Sequence, residues 1–223
     1  MAHSPHSANF EAHRPVVMGR NGMVCAGHPL ASQAGMAMLQ KGGNAVDAAV
    51  ATAAALNVVE PLMSGIGGDG YLMIYWKNDD CLSVLNATGA APGAATRERF
   101  LSQGISMKGI LSVSIPALLD GWLSAQKKYG SLSLAEVFAP AMDLAANGFP
   151  TSYVLAKAIA ADPYICEFPT SKRVFSRDGW PLRPGEILYQ RDLGRTFQAI
   201  VDGGEDVFYR GEIAHALVRF SEA

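Results

Sequence analysis

The sequence predicts an α+β protein made of one domain, or part of one, on three observations. A helix that is apolar almost all round (AVDAAVATAAALNVV) is followed by an apolar, aromatic hairpin (YLMIYW and CLSVLNA), and then by a run of amphipathic helices from residue 97 onward. The 223 residues are 49% hydrophobic and 17% charged, a composition that buries much of the chain and leaves little of it for disorder. Net charge is -2 with acids and bases in both halves, so no basic stripe argues for nucleic acid or an anionic membrane surface. The least charged tract, residues 45–63, is interrupted by Asp47, Asn57 and Glu60. It falls short of the roughly 20 apolar residues that a membrane span requires.

Residues 1–14 are polar, with His3, His6 and His13 spaced too irregularly for a metal tract; a flexible N-terminus is expected. They carry no apolar core behind a basic start, so no secretory signal is read and a cytoplasmic location is expected. Cys25, Cys81 and Cys166 are scattered and form no C-x-x-C pair. They are read as buried free thiols, with no disulfide framework and no zinc site.

MVCA (23–26) reads as a short strand and residues 27–29 as a turn, leading into a helix over 30–41 that stops at Gly42-Gly43. Asn44 can cap the next helix, and Asp47, three residues on, completes an arrangement like a capping box. This alanine-rich helix, apolar on every side, is expected to be buried and to end at Pro61. YLMIYW (71–76), a continuous apolar run, predicts a fully buried strand, with 81–87 as its antiparallel partner and the turn at 78–80. Helices are predicted over 115–130, ending at Gly130, and over 133–148, with Ser133 and Glu136 as a capping box and Gly148 as the stop. Residues 175–190 read as turn-rich loop, and 192–204 and 211–223 as closing helices.

Gly65, Gly67 and Gly70 satisfy G-x-G-x-x-G. A dinucleotide fold needs a strand before those glycines, a helix after them and an acid about 20 residues on. Here the order is helix, glycines, strand, and residues 85–91 contain no acid. The glycines are read instead as allowing positive φ and close approach where the buried helix turns into a central strand. His28 has no second ligand at metal spacing and reads as a turn histidine, and Ser64 lacks the context of a nucleophile elbow. No cofactor and no metal are expected.

Taken together, GGNAVDAAVATAAALNVVEPLMSGIGGDGYLMIYW, SIPALLDGWLSAQKKYGSLSLAEVFAPAMDLAANGFP and GGEDVFYRGEIAHALV resemble the gamma-glutamyltranspeptidase family over most of the chain. The resemblance implies an N-terminal-nucleophile hydrolase fold, an αββα sandwich, of which residues 15–223 would be an incomplete large-subunit portion. It implies a precursor that cleaves itself, a small-subunit partner, and a small-molecule amide substrate. In such proteins the new N-terminal threonine of the small subunit is acylated, its own amine serving as base, and the acyl group passes to water or an amino acid.

Two departures from the family pattern stand out. None of Thr52, Thr88, Thr96, Thr151, Thr170 and Thr196 lies in the nucleophile's Thr-His-x-Ser context, so no catalytic residue is expected in this chain. Where typical transferases carry Leu-Asp-x-Arg-Glu-x-Ala-Pro, with the arginine on the glutamyl carboxylate, this chain has LNATGAAP. That places Asn86 and Thr88 at the positions of the substrate-binding aspartate and arginine. The implied activity is cleavage of gamma-glutamyl or related amides. An amidohydrolase or acylase with a non-glutamyl substrate, or a non-catalytic truncated paralogue, are the alternatives.

Overall fold

The computed structural model describes residues 16–106 and 108–222; the expected flexible segment 1–14 lies outside them. In order come α1 (Pro29–Gln40), α2 (Ala45–Val59), β1 (Gly70–Trp76), β2 (Cys81–Ala87), α3 (Arg97–Gln103), α4 (Leu118–Tyr129) and α5 (Leu134–Asn147). They are followed by β3 (Phe149–Pro150), α6 (Tyr153–Ala161), α7 (Pro163–Glu167), α8 (Pro169–Phe175), β4 (Ser176–Arg177), β5 (Trp180–Pro181) and β6 (Ile187–Leu188). The chain closes with α9 (Arg191–Gly203), α10 (Glu205–Tyr209) and α11 (Glu212–Glu222).

The core forms around α2, which packs against α1, α4 and α5, while α9 packs on α5. Ala48, Val50, Ala51, Ala54, Ala55, Val58 and Val59 are all buried, as expected for an apolar helix, but Ala45 and Ala49 on the remaining face are exposed and Ala53 and Leu56 only half-buried. Between α5 and α9, Phe138 and Phe197 meet edge to face with centroids 5.0 Å apart, a favoured aromatic geometry.

The capping box at the start of α2 is present, and its acid does more than cap. The Asp47 carboxylate, fully buried, accepts from the Asn44 amide at 2.7 Å, the Gln126 side-chain amide at 2.6 Å, the Ser131 hydroxyl at 2.6 Å and the Leu132 amide at 3.1 Å. Burial acts to raise its pKa, but the bonds from Ser131, Gln126, Asn44 and Leu132 outweigh it and hold the carboxyl below its ordinary value. The side-chain amide of Asn44 also donates to the Tyr129 carbonyl at 2.6 Å. One polar cluster thus joins the beginning of α2 to the end of α4.

β1 and β2 pair antiparallel from Gly70↔Ala87 to Trp76↔Cys81, and the turn is a short 3-10 segment over Lys77–Asp79 with Asp80 left-handed at φ 47. Side chains on one face, including Leu72, Ile74 and Leu85, pack on the core. At Gly121 in α4 a Cβ would come within 2.4 Å of the Ala87 Cβ, so the missing side chain lets α4 lie close under the hairpin. The opposite face is open: Tyr71, Met73 and Tyr75 are 69%, 72% and 59% exposed. The expectation of a fully buried strand therefore fails: alternate residues of β1 are exposed and the others only half-buried, because the described residues cover the hairpin from one side and strand side chains alternate between faces.

Other readings are corrected as well. Residues 23–26 form no strand among the described residues. Residues 175–190 are not plain loop: β4 pairs with β5, and β6 pairs back to β3. The helix expected from 115 starts at Leu118, after the Ile115-Pro116 step, as the restriction on residues preceding proline favours. Cys25 and Cys81 are free as expected but exposed rather than buried.

Candidate functional site

Three segments converge where the hairpin meets the core: the glycine loop 64–70, the exit of β2 at 86–90, and residues 114–118 leading into α4. α2 delivers the first. The Ser64 amide donates to the Glu60 carbonyl at 3.1 Å, and the buried Asn57 side-chain amide donates to the Ser64 hydroxyl. The Asn57 Oδ1 has no partner among the described residues. The element order α2, glycines, β1 is the one that excluded a dinucleotide fold. Yet none of Gly65, Gly67, Gly68 and Gly70 has a positive φ, and β1 lies in a two-stranded ladder. Close approach remains their role at Gly70, whose Cβ would be 2.6 Å from the Leu118 Cδ1.

Asn86 sits in β2 opposite Tyr71, and its Oδ1 accepts from the Thr88 amide at 2.9 Å, a local turn. The Thr88 side chain is exposed and makes no hydrogen bond among the described residues. Next to it, the Gly89 amide donates to Asp69 Oδ1 at 2.7 Å, and the Ser114 hydroxyl donates to Asp69 Oδ2 at 3.1 Å. Backbone bonds complete the junction: Ile115 N–H to the Ala90 carbonyl at 2.9 Å, and Leu118 N–H to the Gly68 carbonyl at 3.0 Å. A Cβ on Gly89 would stand 1.6 Å from the Ile115 carbonyl oxygen, so a side chain there is incompatible with this closure.

Asn86 and Thr88 are therefore brought together, at the rim of a junction organised by Asp69. Sequence reasoning did not single out Asp69 or Ser114. The available signal was a lone carboxylate interrupting a run of glycines. His28 behaves as the turn histidine expected: its Nδ1 accepts from the Leu30 amide at 3.2 Å and caps α1. Burial lowers its pKa, with Glu60 opposing, which favours the neutral ring. The remaining threonine hydroxyls mostly serve the backbone: Thr52 donates to the Ala48 carbonyl, Thr151 to Glu186, Thr196 to Asp192, and Thr96 caps α3. Among the described residues no group of three or more His, Cys, Asp or Glu could hold a metal ion, and no helix is long and apolar enough to cross a membrane.

Comparison with known proteins places this geometry. The profile of the family described as Gamma-glutamyltranspeptidase matches residues 31–223. The chain is similar to the glutathione hydrolase proenzyme of Bacillus subtilis (strain 168), 39% identical over 94% of this chain and 37% of that protein. It is also similar to the Acylase ACY 1 proenzyme of Pseudomonas sp. (strain SE83), 37% identical over 98% of this chain and 41% of that protein. It thus spans about two fifths of the length of these curated relatives.

Among solved structures, the gamma-glutamyltranspeptidase of Helicobacter pylori superposes with a TM-score of 0.88 at 32% identity, over 93% of this chain and 62% of that one. The cephalosporin acylase of Bacillus halodurans superposes with a TM-score of 0.86 at 34% identity, over 99% and 43% respectively. The mixed helix and sheet described above is the N-terminal portion of the N-terminal-nucleophile hydrolase fold these structures share. By the match of its profile over most of its length, the chain belongs to the gamma-glutamyltranspeptidase family.

Proposed function

We propose that this chain is the large-subunit portion of a self-processing amide-cleaving enzyme, and that its substrate lacks the α-carboxylate of a gamma-glutamyl group. The acyl-enzyme would form on a threonine of a small subunit from the same precursor. The open, apolar face of the hairpin supports that partner, since a row of Tyr71, Met73 and Tyr75 in water is the kind of surface that marks an interface.

The observation that carries the substrate reading is the junction at 86–90. Thr88 offers one neutral hydroxyl where an arginine would fork two charge-assisted hydrogen bonds onto a carboxylate. Gly89, in place of the motif's glutamate, is filled in by the Ile115 carbonyl, so the departure is built into the packing of two segments. Similarity to acylases as well as to glutathione hydrolases is consistent with an acyl amide as substrate.

The test compares, on the full-length protein, turnover of a gamma-glutamyl anilide with that of acyl anilides lacking the α-carboxylate. Preference for the latter is expected. Thr88→Arg should then improve gamma-glutamyl turnover about tenfold or more, the worth of one charge-assisted hydrogen bond. Efficient gamma-glutamyl turnover by the unaltered protein would overturn the substrate reading. Absence of a threonine-headed second chain, read by intact mass and N-terminal sequencing, would overturn the enzymatic one.

A further inference from the structure

Far along the chain from the 64–90 junction, the end of α8, β4, β6 and the start of α9 border an open surface groove of about 550 Å³, within the size range of small-molecule sites, with its charged side chains exposed to solvent. Four arginines line it, Arg173, Arg177, Arg191 and Arg195, against a single acid, Asp192. Asp192 is shared: it accepts from Arg173 at 2.8 Å and also from Arg195. Arg177 donates to the Ile187 carbonyl at 3.1 Å, and Arg191 stacks on the Tyr189 ring at 4.6 Å. Neither of these last two meets a carboxylate among the described residues. The floor is apolar, with Leu182 buried and Ile187 half-buried.

Backbone adds to the charge. Gln190 precedes α9 without a side-chain cap, and its Nε2 donates to the Val58 carbonyl. The amides of Arg191, Asp192 and Leu193 consequently find no acceptor among the described residues, and they stand at the positive end of a 13-residue helix. Guanidinium forks match the oxygens of carboxylates and phosphates. One shared carboxylate leaves this groove with three positive charges in excess.

We propose that this groove binds a small molecule bearing two or more anionic oxygen groups, a polycarboxylate or a phosphate, held by Arg177, Arg191 and the first amides of α9, with Arg173 and Arg195 released from Asp192 to join it. The proposal stands apart from the amide-cleaving reading and uses no residue of the 64–90 junction.

Calorimetry on the purified protein with citrate and with inorganic phosphate as probes tests it. Binding of citrate, tighter than phosphate and weakened by salt, is expected; phosphate binding as tightly as citrate would narrow the ligand class to phosphates. Arg177→Gln with Arg191→Gln should weaken binding about tenfold or more. Asp192→Asn should strengthen it, because it frees two guanidiniums; a merely structural role for Asp192 would not do this. Circular dichroism checks that each variant is folded. Failure of both probes to bind, or binding unchanged in the double arginine variant, would overturn the proposal. So would weaker citrate binding by a folded Asp192→Asn protein.

Discussion

The two sides of α4 differ in how completely they are finished. Toward α2 and α5, side chains close over one another, and the buried Asp47 carboxylate has five donor groups from three segments. Toward the hairpin, α4 meets a two-stranded ladder whose outer face stands in water. The difference shows that the helical side is satisfied by local and mid-range contacts of this chain, whereas among the described residues nothing covers the outer face of the sheet side. Stability should therefore reside in the first region and recognition in the second.

The largest effect that contrast predicts is in the helical core. Phe138→Ala removes a fully buried ring that meets Phe197 edge to face, and should cost about 3–5 kcal/mol, measured by denaturant unfolding. A loss below about 1 kcal/mol would erase the distinction between the two sides.

Asp47→Asn comes next. It keeps the shape but turns donors toward the donors of Ser131, Leu132 and Gln126, so about 3 kcal/mol should be lost at neutral pH. Its pH dependence sharpens the point. Because the folded carboxyl titrates below its unfolded value, its contribution is complete above the ordinary carboxylate range near about 4. It declines as pH falls through the folded pKa. The gap between wild type and Asp47→Asn should accordingly narrow in acid.

At the junction, Gly89→Glu restores the motif residue but drives a Cβ into the Ile115 carbonyl. It should cost about 2 kcal/mol by overpacking, while Thr88→Arg, at an exposed position, should be nearly neutral for folding. The smallest effect is expected on the open face. Met73→Lys, at 72% exposure, should change stability by no more than about 0.5 kcal/mol, yet improve solubility of the chain on its own. A large loss of stability there would mean that the face is already covered.

Much of the helical side was legible in the sequence because its signals are local. Asn44 with Asp47 and Ser133 with Glu136 both form the capping boxes their spacing implies, and most of the apolar residues of α2 are buried. What failed was tertiary. YLMIYW gives no sign of which face will be covered, since an apolar residue at every position fits two covered faces as well as one. MVCA has strand composition but no partner among the described residues, and pairing is what makes a strand. At the site, LNATGAAP marked Asn86 and Thr88 through the family pattern alone. The Asp69 to Ser114 contact, spanning 45 residues, has no counterpart in any local spacing.

The buried carboxylate also sets a timetable. Asp47 and Ser131 are 84 residues apart in sequence. At roughly 5–20 residues per second of synthesis, α2 is made on the order of ten seconds before the groups that will hydrogen-bond its buried carboxylate. In that interval the start of the helix must keep Asp47 in water, so α1 and α2 can pair along their alanine faces but cannot seal their N-terminal end. The core closes only once residues 131 and 132 have left the ribosome, which makes an acidic side chain at the beginning of a helix the checkpoint for completing the layer above it.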